Sequence, residues 1–226
     1  MQNYTVTLEG KTSLFMHQDD VSAADKVEKW KMDPSHRSTK KGDDRFPVWT
    51  WKTFLYSDGK QIAIPTANIS AALRKAGAEF AMAGAKRKTL KSATQVLIAH
   101  MSEYSELIPY GRKTPIQNKE IAEISDDKDF EEHAERVEKL GGVMLDVRRA
   151  TIGKAKHVRV RPKFLPGYKI ISNISLLDET RLDKKVLADI FAWAGVYVGI
   201  GDWRPSAPQS PGPHGTFSVS SIEKTK

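Results

Sequence analysis

Tyr4, Val6 and Leu8 alternate with Thr5, Thr7 and Glu9 near the start of the chain, and this alternation restricts the fold more than any other pattern in the sequence. A period of two puts the three apolar side chains on one face of a strand and the polar ones on the other. Such a strand belongs to an antiparallel sheet with one covered face. Gly10 interrupts the pattern and Leu14-Phe15-Met16 resumes it, so the spacing predicts one strand over 4–16, kinked at Gly10. Further strands are expected at Val143–Val147, Val158–Val160, Lys169–Leu177 and Phe217–Val219, where residues alternate or are β-branched. An aromatic run (Trp49, Trp51, Phe54, Tyr56), the turn Ser57-Asp58-Gly59-Lys60 and then Ile62 and Ile64 read as a hairpin.

Helical spacing appears after Pro65, where Ile69, Leu73, Ala76 and Phe80 share a face, and again from about Leu90 to Tyr104. Asp126–Leu140 reads as an exposed charged helix stopped by Gly141-Gly142, and Asp183–Ala194 as a helix with Val186, Leu187, Ile190 and Phe191 on one side, closed by Gly195. This order suits an α+β fold, with helices on one face of an antiparallel sheet. With 226 residues and 39% hydrophobic residues, one folding unit over 1–226 is expected. The stretch 17–45 is charged and apolar-poor and reads as a long excursion.

Lys and Arg number 36 against 28 Asp and Glu, a formal charge of +8, which is the electrostatic footprint of a polyanion binder. The excess is concentrated. Residues 148–163 hold Arg148, Arg149, Lys154, Lys156, Arg159, Arg161 and Lys163 and no acid. Arg159 and Arg161 are two apart, so a strand presents both guanidiniums on one face, suited to successive phosphates. A basic edge strand that merely discourages aggregation needs only one or two such charges. A second basic run, Lys86-Arg87-Lys88, lies between the two helical pieces.

Gly199, Gly201, Gly212 and Gly215 surround Trp203-Arg204-Pro205 and allow close backbone approach, but the spacing is that of neither a dinucleotide loop nor a P-loop, so no nucleotide cofactor is expected. Phe164, Tyr168 and Trp203 lie near the basic stretches and could stack bases, Trp203 being the one expected to be exposed. There is no Cys, which removes thiolate sites and disulfides. The six histidines are scattered without metal-pair spacing, so no metal is expected. His17 with Asp19 and Asp20 is the one arrangement that could serve acid–base or metal-assisted phosphodiester cleavage. No serine sits in a nucleophile motif. No basic region followed by an apolar run opens the sequence and no stretch approaches a membrane span, so a cytoplasmic protein away from membranes is expected.

The first strand with Gly10 and Leu14-Phe15-Met16-His17, the helix after Ile64-Pro65, and the helix 183–194 followed by Gly199-Ile200-Gly201 and Gly212–Phe217 together resemble the RAMP superfamily. Those are the ferredoxin-like proteins of CRISPR effector complexes, and the backbone subunits of the seventh Cas family are the nearest in pattern. The resemblance implies a modified ferredoxin-like (RRM-like) core with insertions at 17–45 and 104–142, one of which could fold over a bound strand. It implies copies that line up along a guide RNA in a helical ribonucleoprotein filament of antiviral defence, beside other effector subunits. It also implies that a loop aspartate such as Asp19 or Asp20 could cut a target. Pro205, Pro208, Pro211 and Pro213 interrupt the glycine loop, which departs from the family's tighter cluster, and a phage single-strand binder of the same fold fits equally. The expected function is therefore a non-catalytic subunit binding RNA or single-stranded DNA through Arg148, Arg149, Lys154, Lys156, Arg159, Arg161 and Arg204, with Trp203 stacking. An endoribonuclease, and a phage structural component that meets an acidic protein partner, are the alternatives.

Overall fold

The computed structural model describes residues 1–36, 42–84, 88–126, 129–152 and 155–225. In chain order its elements are β1 (Gln2–Gly10), β2 (Leu14–Phe15), α1 (Val21–Met32), β3 (Ala63–Pro65), α2 (Thr66–Gly77), α3 (Lys91–Leu97), β4 (Ile98–His100), β5 (Tyr104–Ile108), α4 (Asn118–Ala122), α5 (Phe130–Lys139), β6 (Val143–Ile152), β7 (Ala155–Phe164), β8 (Lys169–Leu176), α6 (Lys184–Trp193) and β9 (Phe217–Thr225). The main sheet runs β3-β5-β8-β1-β9, with β4 also bonded to β8, and a smaller sheet runs β2-β7-β6. Every named pairing is antiparallel. The chain is thus a mixed α+β protein built on antiparallel sheets. No helix among the described residues is long and apolar enough to cross a membrane.

β1 has the expected alternation: Tyr4, Val6 and Leu8 are buried while Asn3, Thr5, Thr7 and Glu9 keep part of their surface. Opposite them on β8 stand Ile174, Ser172 and Ile170, also buried. The core formed there is completed by Ile69, Leu73 and Ala76 of α2, Leu97 of α3, and Leu187, Ile190 and Phe191 of α6. Asp183 caps α6 by accepting from Val186 N at 2.8 Å, which satisfies one of the amides a helix start leaves unbonded.

Several elements differ from the sequence expectation, each because a tertiary partner overrides a local pattern. The first strand does not continue through Gly10. A Cβ there would sit 2.1 Å from the ring of Tyr168, so the chain leaves the main sheet and Leu14–Phe15 pairs with Lys163–Phe164 of the smaller one. The aromatic run forms no hairpin arm: Thr50–Phe54 is a 3-10 turn, Trp51 is buried, and Ala63–Pro65 pairs with β5 instead. Only the tight turn survives, through the Ser57–Ile62 bridge. The helix from Leu90 stops at Leu97 because Ile98–His100 is taken up as a strand by β8. The stretch 104–142 begins inside the main sheet, since Tyr104–Ile108 pairs with β3 and β8. α1 in the 17–45 excursion buries no residue, in keeping with its poor apolar content. The basic residues Lys86 and Arg87 lie outside the described residues.

Gly195 does not close α6 either; the helix widens into a π turn over Ala194–Val198. A Cβ at Gly195 would lie 2.0 Å from the carbonyl oxygen of Phe217. Glycine-to-alanine changes in helices ordinarily stabilise by up to about 1 kcal/mol. Gly195→Ala is expected to destabilise instead, by about 1–3 kcal/mol, as overpacking does, and urea unfolding measures the sign.

His133 of α5 is fully buried. Its Nδ1 accepts from Trp51 Nε1 at 3.2 Å and its Nε2 donates to Ser125 O at 2.7 Å. Indole nitrogen only donates, so the imidazole is neutral with its proton on Nε2. Burial lowers its pKa, with the bond to Ser125 opposing. The unfolded chain then takes up this proton more readily than the folded one, so stability held above the ordinary histidine pKa of about 6.5 is lost as pH falls towards the folded value. The melting temperature is expected to fall from about pH 7 to about pH 5, and His133→Gln to flatten part of that slope.

Candidate functional site

β6 and β7 form a long hairpin, in register from Val143↔Phe164 to Ile152↔Ala155. Val160, Pro162 and Phe164 of β7 face the interior, which by the period of two turns His157, Arg159, Arg161 and Lys163 to the opposite face. Arg148 lies directly across from Arg159, and Asp146 across from Arg161, so one face of the hairpin carries three arginines within two cross-strand pairs.

Like charges directly opposed on neighbouring strands repel, and carboxylates from three parts of the chain offset this. Arg148 Nε donates to Asp146 Oδ1 at 3.0 Å, Arg159 Nη1 to Asp44 Oδ2 at 3.2 Å, and Arg161 Nη1 to Asp202 Oδ2 at 2.7 Å. The Arg161 side chain is 16% exposed, against 35% for Arg159 and 41% for Arg148. Arg149, among the described residues, has no carboxylate partner. Together with His17, Asp44, Phe54, Asp202, Trp203 and residues 207–210 these arginines line a cleft of about 590 Å³.

Aromatic rings form its floor. The Arg161 guanidinium lies 4.7 Å from the Phe15 ring centre and 5.5 Å from that of Trp203; the Arg148 guanidinium lies 5.0 Å from Trp203. Such contacts hold a cation with about 0.5–1 kcal/mol at exposed sites and more when desolvated. Trp203 has φ 52, a left-handed conformation that costs a bulky residue energy and persists where its surroundings enforce it. Here its N–H donates to Asp202 Oδ1 at 2.9 Å and its carbonyl accepts from His214 N at 3.3 Å. A Cβ at Gly212 would meet the indole at 2.2 Å, and His214 packs its ring 5.0 Å away. A base stacking on Trp203 would have to compete with a guanidinium for the ring. The structure places Trp203 first as the platform for two arginines.

The glycines of this loop answer to the protein's own backbone. Gly199, Gly201 and Gly215 have φ near +70°, and a Cβ at Gly215 would lie 1.8 Å from Ile200 O. Of the expected phosphate ligands, Arg148, Arg149, Arg159 and Arg161 border the cleft with Trp203, Arg149 from the hairpin face opposite to the other three. Lys156 is exposed on the other face of β7 from Arg159 and Arg161. Arg204 donates to Gly201 O at 2.7 Å and borders a separate notch beside α2. Lys154 lies outside the described residues.

His17 lies on the cleft and its ring packs 4.5 Å from that of Phe54. The enclosing wall lowers its pKa, Asp202 opposing and Arg159 and Arg161 adding to the effect, although part of the residue keeps solvent access. Asp20 instead caps α1 by accepting from Ala23 N at 3.2 Å, and Asp19 is exposed and outside the cleft lining. Among the described residues no three His, Asp or Glu are placed to hold a metal ion.

The sequence reading missed the three aspartates and the Phe15 floor. Asp146 was detectable, since it precedes Arg148 by two and must share its strand face. Asp44 and Asp202 reach the site only through the fold. No protein-family model matches the chain, and no curated protein is similar to it.

Arg161 and Arg149 should respond in opposite ways to truncation. Arg161→Ala removes the bond to Asp202 and the guanidinium packed on Phe15 and Trp203, while Asp146 keeps Arg148, and is expected to cost about 1–3 kcal/mol, whereas Arg149→Ala should change stability by less than about 0.5 kcal/mol. Thermal denaturation of the two variants checks this.

Proposed function

We propose that this protein is a non-catalytic subunit that binds single-stranded nucleic acid by its phosphate backbone, seated in the arginine cleft between the β6–β7 hairpin and the Trp203 loop. The observation that carries the reading is the clustering of four arginines against two aspartates along that cleft, two of them fixed by aromatic rings. Guanidiniums held in place match phosphate geometry and lose little freedom on binding. Strand order supports the RAMP-like reading. β5-β8-β1-β9, with α2 and α3 in the connection after β1 and α6 in that between β8 and β9, is the order of a ferredoxin-like βαββαβ sheet. On this reading the 17–45 excursion is an insertion, and copies of the chain line up along RNA, of the guide-RNA backbone type, or along single-stranded DNA.

Three or four phosphate contacts give a logarithmic salt slope of about −2 to −3 for a single strand, so affinity should fall about 20- to 50-fold between about 50 and 200 mM salt. Arg148→Ala/Arg149→Ala should reduce the slope by about 1.4, with complexes that grow with strand length in the wild type. Salt-independent affinity, or a double variant that binds like the wild type, contradicts the proposal. His17 on the cleft wall favours one second reading, cleavage of the bound strand. Labelled RNA cut by the wild type and spared by His17→Ala would establish it.

A further inference from the structure

A second cluster of cations lies across the Trp203 loop from the cleft. Arg74 and Lys75 are exposed on α2. Lys75 faces Arg204 over a notch that Asn68, Ala71, Gly199 and Gly201 also line. Lys75 Nζ donates to Ser206 O at 3.0 Å and to Ser206 Oγ at 3.3 Å, which leaves one ammonium donor unused. Among the described residues none of the three forms an ion pair with a carboxylate. Their mutual repulsion is felt at Lys75, whose pKa is lowered by burial and then by Arg204 and Arg74. The arginines of the cleft differ in this respect, because three of them have aspartate partners. A cationic group without internal counter-charge is stabilised by an external anion.

The notch measures about 30 Å³, room for no more than a few water molecules. It is too small for a base or a sugar, so an anion would lie across its mouth on Lys75 and Arg204, with exposed Arg74 adjacent to Lys75 on α2. The two cation groups are also connected. The loop itself joins them, since Gly201 and Arg204 line the notch while Asp202 and Trp203, between them in sequence, line the cleft.

We infer that Arg74, Lys75 and Arg204 form a second phosphate site, engaging a phosphodiester of the same single strand that lies in the arginine cleft. This rests on the proposed function, and it makes the ligand a polymer long enough to leave the cleft, cross the 201–204 loop and reach α2. A mononucleotide would not use this site.

The test is the salt dependence of binding of a single-stranded RNA of about 12 nucleotides, within the usual range for one small domain, to the full-length protein. For Arg74→Ala/Lys75→Ala the logarithmic salt slope should be shallower by about 1.4, the loss of two phosphate contacts, with an unchanged melting temperature. Arg74→Glu, at a side chain that forms no hydrogen bond or ion pair among the described residues, should weaken binding in the same direction while Lys75 keeps Ser206. Wild-type slope and affinity in both variants, with Arg148→Ala/Arg149→Ala still impaired, would overturn the second site and leave the cleft standing. Absence of binding by the wild type itself would overturn both.

Discussion

β1 ends where Tyr168 occupies the space beside Gly10, and the arrangement of the site follows from that contact. Gly10 N donates to Tyr168 O and Gly167 N to Gly10 O, both at 2.8 Å, so β1 and the start of β8 are clamped at this corner. A side chain larger than hydrogen has no room there. The chain therefore turns out of the main sheet, is held at Lys11 by Thr216 O and at Ser13 by Gly215 N, and delivers Phe15 to the edge of β7. Phe15 is completely buried and lies beneath Arg161 and beside His214. The segment that follows the first strand thus supplies the aromatic support beneath Arg161, in a cleft whose lining runs from His17 to Ser210.

The charge in that cleft is graded. Arg161 is enclosed, bonded to Asp202 and covered by two rings, which makes it as much a brace between the hairpin and the 201–215 loop as a ligand group. Arg148 and Arg159 are partly exposed and each bonds one carboxylate, Asp146 and Asp44. Arg149 is exposed and, among the described residues, has no carboxylate partner. Internal ion pairs hold guanidiniums at fixed spacing against their own repulsion, and leave Arg149 as unmatched charge among the described residues.

Much of the main sheet was legible in the sequence. The alternation in β1 and β8, the apolar face of α6 and the cap at Asp183 are local patterns, and the structure follows them. The failures share one cause. Thr50–Phe54, Ile98–His100 and Leu14–Phe15 are short segments whose local pattern suits more than one conformation, and the available partner strand decides between them. Of the site, Arg159 and Arg161 could be placed on one face from their spacing alone, and the glycine loop could be recognised as a place of tight backbone packing.

What the sequence determined by itself was the concentration of positive charge in residues 148–163 and the sidedness of the strands, because both depend on neighbours within a few residues. The tertiary structure decided which of those charges are neutralised, since Asp44 and Asp202 reach the hairpin only across long loops. It also decided the part played by Trp203, whose surroundings and strained backbone are set by Gly212, His214 and two arginines from other elements. It brought Lys75 of α2 beside Arg204. Pairings between residues 41 to 115 positions apart leave no mark on local periodicity, and they exist only once the sheets have closed.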